Sequence, residues 1–179
     1  MIGERLEMSV YFYGCVTMDG YLADKSYNLD WLYQTGTLEE TGYNDFYKNM
    51  DITIMGKRTF AEIEKTDNAA FLYPTTENYV FTHSATLSQE GFIPIEADVV
   101  EFVKQIDNNK NVWIIGGNTI LSPLLYHNMV DNIILQIAPV LLGEGIPLFS
   151  QKEALIRFYL KEVKKYGQFA ELIYQKVQG

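Results

Sequence analysis

The chain has little cysteine, little histidine and too few basic residues for its acidic ones. Cys15 is its single cysteine, so no intrachain disulfide can form and a zinc site built on cysteines is excluded. Fourteen Lys and Arg face 23 Asp and Glu, a formal net charge of −9, which argues against general binding to a nucleic-acid backbone. A polyanionic ligand must therefore meet a local basic cluster. Adjacent basic residues occur only at Lys57-Arg58 and at Lys164-Lys165, the second within an alternating pattern that reads as a solvated strand edge. No apolar run approaches the roughly 20 residues of a membrane span. The first residues lack the basic, apolar and small-residue order of a signal peptide. These absences predict a cytoplasmic protein with neither a nucleic-acid nor a membrane partner. Residues 1–7 read as a loose leader and 8–179 as one domain, a length sufficient for a single core.

What is present is an ordinary globular composition, 47% hydrophobic and 21% charged, rich in Tyr (13) and Phe (10). Those aromatics suit a strand-rich core or an aromatic-lined pocket. Val10 to Val16 is a compact apolar run with Gly14 inside it, the pattern of a central strand buried on both faces. Tyr21 to Asn28 reads as a loop. A short helix is predicted from Asp30, with Asn28 or Asp30 near its N-cap, and a second over Glu39 to Asn49. Ile52 to Met55 is a strand that runs into Gly56-Lys57-Arg58-Thr59, and Phe60 to Lys65 returns to a helical pattern. Short strands follow at Tyr79 to Thr82 and at Phe92 to Ile95, the latter an edge because Pro94 lacks a donor. Asp98 and Glu101 form a capping-box pattern before Val99, Phe102, Val103 and Ile106, which share one helix face. The strand Val112 to Ile115 meets Gly116-Gly117 and a helix over Asn118 to Asn128, imperfect at Pro123. A strand at Ile133 to Ile137, a glycine-rich turn at Gly143 to Pro147 and a hairpin of Tyr159–Lys165 with Gln168–Lys176 complete the chain. Repeated β-α-β units ending in a hairpin predict an α/β fold with a mostly parallel sheet and an antiparallel edge.

Ligands of open α/β sheets bind at the carboxyl ends of the parallel strands. Three such ends carry groups suited to a dinucleotide: Gly56-Lys57-Arg58-Thr59, Thr82-His83-Ser84 and Gly116-Gly117-Asn118-Thr119. The helices after Gly56 and Gly117 offer free N–H groups and a positive dipole end. Glycine allows close approach to a phosphate, Lys57 and Arg58 add charge, and the hydroxyls add neutral donors. Each of these signals alone is equally the mark of a turn or a packing device; their conjunction at one sheet edge is the argument.

IMGKRTFAEI, residues 54–63, resembles the phosphate-binding βα turn of dihydrofolate reductases, and IIGGNTIL, residues 114–121, resembles their second cofactor motif. GCVTMDGYLAD (14–24) and APVLLGEGIPLF (138–149) are closer to the C-terminal reductase domain of bifunctional riboflavin-biosynthesis deaminase-reductases and its small stand-alone bacterial relatives. The resemblance implies a dihydrofolate reductase-like fold: a mostly parallel central sheet, helices on both faces and a C-terminal antiparallel hairpin. It implies NADPH as cofactor. Lys57 would face the 2′-phosphate, with Thr82, His83 and Ser84 beside it. Arg58 and Thr59 would meet the pyrophosphate beside Gly56, with Ile115, Gly116, Gly117, Asn118, Thr119 and Ile120 forming the opposite wall. Cys15 and Val16 would line the nicotinamide side. A cis peptide is expected between Gly116 and Gly117. His83 reads equally as a surface-loop histidine.

The sequence departs from classical dihydrofolate reductases where folate is held. The helix that should carry a carboxylate puts Gly42 or Thr41 at that position, Leu121 replaces a tyrosine, and Gln136 stands for a threonine. Asp19 is the candidate catalytic and substrate-binding group in their place, with an Asp-Gly turn that caps its own loop as the competing reading. Tyr13, Trp31 and Gln136 are the remaining substrate-binding candidates; Trp31 reads equally as a core residue. The expected activity is NADPH-dependent reduction of a small heterocyclic, pteridine- or pyrimidine-like, or carbonyl substrate. An NADPH-binding regulatory protein without efficient catalysis is the rival. The family implies a possible homodimer.

Overall fold

Alternation along the first strand, β1 (Ser9–Thr17), splits its side chains between two layers, and the rest of the molecule is arranged around that division. The structure is a computed structural model that describes residues 7–66, 68, 71–149 and 155–177. Six of the seven residues read as a leader lie outside the described residues.

After β1 come a short β2 (Tyr21–Ala23), α1 (Asp30–Thr35), a 3₁₀ turn at Leu38–Glu40 and α2 (Tyr43–Tyr47). Then follow β3 (Ile52–Gly56), α3 (Lys57–Glu64), β4 (Glu77–Phe81), β5 (Phe92–Ile95), α4 (Val99–Lys104), β6 (Asn111–Gly116) and α5 (Asn118–Tyr126). The chain closes with β7 (Asn132–Ala138), β8 (Ile146–Pro147), β9 (Phe158–Tyr166) and β10 (Phe169–Lys176). Eight strands form one sheet in the order β5-β4-β3-β6-β1-β7-β10-β9. The first six run parallel, whereas β10 is antiparallel to β7 and to β9. This is the expected dihydrofolate reductase-like architecture. Pro94 lies on β5, at the free edge of the sheet, opposite Val80.

One face of the sheet buries Val10, Phe12, Ile54, Val112 and Ile114 beneath α4 and α5, whose Val103, Leu121 and Leu124 are fully enclosed. The other face packs Tyr11, Tyr13 and Trp113 against Tyr43, Phe46 and Tyr47 of α2, and Met55 and Val80 against Phe60 and Ile63 of α3. Trp31 of α1 extends this second layer over Ala138 and Phe169. Helices therefore cover both faces, and every aromatic of α2 stacks or meets a sheet ring edge-on.

Local elements differ from the sequence expectations in four places. The loop over Tyr21 to Asn28 begins as a strand, because Tyr21 and Ala23 pair with β8 from the glycine-rich turn. The N-cap of α1 is Leu29 without a side-chain cap; Asn28 instead binds the Asp24 carboxylate through its backbone and amide nitrogens. The helix expected over Glu39 to Asn49 is broken at Thr41-Gly42, where the Thr41 hydroxyl donates to the Leu38 carbonyl at 2.7 Å. Asp98 caps α4 through the N–H groups of Val100 and Glu101, but Glu101 turns to Lys104 at 2.7 Å instead of reaching back. No helix among the described residues is long and apolar enough to cross a membrane.

Candidate functional site

The carboxyl ends of β3, β4 and β6 lie side by side, since these strands are parallel neighbours. Gly56 is the N-cap of α3, so Lys57 and Arg58 stand in its first turn, both exposed. A side-chain carbon added at Gly56 would come within 3.3 Å of Ile120, and one added at Gly117 within 3.9 Å of the Thr59 hydroxyl. The β3–α3 and β6–α5 turns are therefore in contact. The Gly116–Gly117 peptide is cis, as expected. Gly116 has φ +124°, a conformation L side chains rarely adopt, and the space beside it is open. The α5 helix starts at Asn118, whose amide donates to the Pro147 carbonyl at 3.1 Å and ties this turn to the loop after β7. Thr119 is exposed, Ile115 half-buried and Ile120 buried.

From β4, the buried Thr82 accepts the Ser84 N–H at 3.1 Å, and the Ser84 hydroxyl lies 3.2 Å from Lys57 Nζ. Lys57, Thr82 and Ser84 are thus brought together. His83 is not among them: its side chain is 94% exposed and faces Glu96 at 2.8 Å. Arg58 reaches toward the loop after β2, where its guanidinium lies 4.8 Å from the Tyr27 ring centre and donates to the Tyr27 hydroxyl. Two helix starts, two cations and several hydroxyls on one edge form a donor set that fits a dinucleotide with an extra phosphate.

Beside this edge, β1 and β7 carry the remaining candidates. Cys15 packs against the Trp31–Ala138–Phe169 cluster, and burial pushes its thiol up to about 12, so it remains a protonated hydrophobe. Val16 sends its side chain to the opposite layer beneath α5, as strand alternation requires, and only its backbone shares the Cys15 side. Tyr13 is stacked on Phe46 at 4.6 Å, and burial raises its hydroxyl to about 12. Gln136 is buried opposite Cys15; its amide donates to the Tyr13 hydroxyl at 2.9 Å and to Glu171 at 3.0 Å. Trp31 is buried, and its indole N–H is the single buried side-chain polar atom without a partner among the described residues.

Asp19 adopts the turn-capping arrangement. Its carboxylate accepts from the Thr17 hydroxyl at 2.6 Å and from the N–H groups of Leu142 and Gly143 at 3.2 and 2.7 Å. The Thr17 bond first, and the backbone bonds with it, hold this carboxyl below its ordinary value of 3.8. It is exposed and ionised at neutral pH, and through these bonds it pins the loop after β7 to the end of β1. Its contribution to stability is present above the ordinary carboxylate range and is lost as pH falls through the lowered value. Asp19→Asn should therefore flatten the loss of stability as pH falls below the ordinary carboxylate value, measured by urea unfolding across pH. An unchanged acid limb would remove the carboxylate from this role.

Sequence reasoning missed Glu171, a carboxylate only 3% exposed on β10 in register with Gln136. Its signal was available: in Phe169-Ala-Glu-Leu-Ile173, the inward positions are Phe169, Glu171 and Ile173, so an acidic residue stands where alternation calls for an apolar one. Among the described residues no cluster of three His, Cys, Asp or Glu could hold a metal. A cavity of about 360 Å³ lined by Leu125, Tyr126, Asn128, Leu155, Ile156, Arg157 and Val177 shares no residue with these strand ends.

Comparison with known proteins shows the family and the fold. Residues 9–170 match the family model of the RibD C-terminal domain. The Bacillus subtilis (strain 168) protein YwjB is 31% identical over 172 residues, covering 94% of this chain and 98% of its own. Among solved structures, a Shewanella sp. PV-4 protein described as a riboflavin biosynthesis protein superposes with a TM-score of 0.80 at 21% identity, covering 96% of this chain and all of that one. Dihydrofolate reductase from Enterococcus faecalis superposes with a TM-score of 0.63 at 12% identity, covering 95% of this chain and 97% of that one. At these identities the structural likeness is one of fold.

Proposed function

Because this chain belongs to the RibD C-terminal domain family, we propose that it is an NADPH-dependent reductase of a small heterocyclic, pteridine- or pyrimidine-like, or carbonyl substrate. The observation that carries the reading is the meeting of Lys57 with Ser84 at 3.2 Å, beside two βα turns in mutual contact. In this reading Lys57, Ser84 and Thr82 hold the 2′-phosphate, and Thr59, Arg58 and the N–H groups that open α3 and α5 hold the pyrophosphate. Arg58 exchanges its Tyr27 partner for phosphate oxygens. Bound NADPH supplies the hydride. The chain's own part is orientation: Cys15 and the Gln136 row form the floor against which a substrate ring lies, Tyr13 and Trp31 wall it, and Asp19 keeps the loop after β7 closed over that side.

The reading places the reductase in the cytoplasm, in keeping with one half-buried, free cysteine. A homodimer through β9 is part of it: this edge strand exposes Tyr159, Leu160 and Val163 among charged residues, and a second copy would pair with its open edge. One observation favours a second reading, an NADPH-binding regulatory protein: Asp19, the acid nearest the hydride side in the sequence, is committed to the loop. Tight binding without turnover over a panel of pteridines, pyrimidines and carbonyl compounds is what that reading requires.

Calorimetric titration of the native protein with NADPH and with NADH tests the central reading. NADPH should bind at least about tenfold more tightly, one charge-assisted contact being sufficient for that ratio. Failure of both dinucleotides to bind would overturn it.

A further inference from the structure

The face of the sheet that carries Tyr13 and Cys15 holds a polar group that the reductase reading leaves unused. Cys15, Gln136 and Glu171 stand in one cross-strand row over β1, β7 and β10. Glu171 is 3% exposed, yet the Gln136 amide at 3.0 Å is its one hydrogen-bond donor. Lys164, its register partner on β9, forms its ion pair with Glu162 at 3.3 Å and also feels the Glu171 charge, while Glu171 has no ion pair within 4 Å among the described residues. A carboxylate offers about four lone-pair sites, and burying one with a single donor is unfavourable. One row further along the same face, Trp31 packs on Ala138 and Phe169, and its indole N–H is buried with no acceptor. Two residues of strand advance about 7 Å, so Glu171 and the Phe169 on which Trp31 packs are that far apart along β10. Glu171 has one donor and Trp31 Nε1 has no acceptor. The aromatic rings of Tyr13, Trp31 and Phe169 and the side chain of Cys15 line the same face.

We propose that Glu171 is the substrate-holding carboxylate of this protein. It accepts from the amino and ring N–H groups of an aminopyrimidinone-like heterocycle, while Trp31 Nε1 donates to a carbonyl of the same ring. The proposal rests on the reductase reading for its place beside the hydride donor, and on the row of residues alone for the ring chemistry. Thr41 Oγ1 stands 3.5 Å from the Tyr13 hydroxyl, at the limit of a hydrogen bond, and is the contact an entering ring displaces. Gln136 is a positioning residue: by donating to both Tyr13 and Glu171 it sets the orientation of the carboxylate.

The test is calorimetric titration of the full chain, with and without saturating NADPH, using 2-aminopyrimidin-4-one and 2,4-diaminopyrimidine as probes. Glu171→Gln keeps the shape of the side chain and should weaken both probes by about tenfold or more, the loss expected of a charge-assisted pair. Trp31→Phe keeps the ring packing and should weaken only the carbonyl-bearing probe; a merely structural role would weaken both alike. Should Glu171→Gln unfold, Glu171→Asp carries the same expectation with the carboxylate withdrawn by one methylene. Absence of probe binding to the native chain in both forms, or equal affinity in the native and substituted chains, overturns the proposal. Glu171-dependent probe binding in a chain that binds no NADPH would instead sink the reductase reading and leave this site standing.

Discussion

Phe12→Ala should lower the free energy of unfolding by about 3–5 kcal/mol, the range for removing a buried aromatic ring from a close-packed core. Phe12 is fully enclosed on the central strand, with Ile114 of β6 as one cross-strand neighbour and Ile133 of β7 as the other. Its ring also lies over Gly14: a side-chain carbon added there would sit 2.6 Å from the end of the Phe12 ring. The ring thus also fills the space beside Gly14. The central strand pairs with both β6 and β7, so relaxation by backbone movement would disturb two ladders at once. Urea unfolding should show a lower midpoint with an unchanged slope. A loss below about 1.5 kcal/mol, the range of a mild swap, would mean that the two layers are less tightly joined at β1 than the burial of Phe12 indicates.

Lys57→Ala should weaken NADPH binding roughly tenfold to a hundredfold and NADH binding far less, since a hydrogen bond to a charged group contributes about 1.5–3 kcal/mol. Lys57 is exposed, so screening places the effect near the lower end at physiological salt and raises it as salt is reduced. Ser84→Ala removes the neutral partner 3.2 Å away and should have the smaller effect in the same direction. Equal losses for the two dinucleotides would take Lys57 away from the 2′-phosphate and move it to the pyrophosphate, where both cofactors are alike. Comparing the ratio of the two affinities at two salt concentrations separates this site-specific contact from the general attraction of a basic turn in an acidic protein.

The strands, the two βα turns and their order were legible because each is a local pattern. Ile52 to Met55 is β-branched and apolar, Gly56 ends it, and Lys57-Arg58 follow whatever the rest of the chain does. The same holds for Val112 to Gly117 and for the Asp98 cap. Helices short enough to depend on their neighbours were less legible. The segment expected as one helix over Glu39 to Asn49 breaks at Thr41-Gly42, and α2 is held by rings from β1 and β6 that lie far away in sequence. Likewise β2 is a strand only because β8, Ile146–Pro147, returns to pair with Tyr21 and Ala23 from the far end of the chain.

By itself, then, the sequence determined the fold class, the cofactor-side motifs and the absence of an acid at the classical folate position, all carried by residues adjacent in the chain. Tertiary structure alone decided the fate of the acids. Asp19 was singled out by its nearness to the first strand, but the loop that binds its carboxylate comes from Leu142 and Gly143. Alternation in β10 marked Glu171 as inward, but what holds it lies elsewhere: its partner Gln136 is 35 positions away, and the Tyr13 that Gln136 also binds is 123 positions from Gln136. Burial and hydrogen bonding at those separations are set by strand order and register, which no local pattern contains.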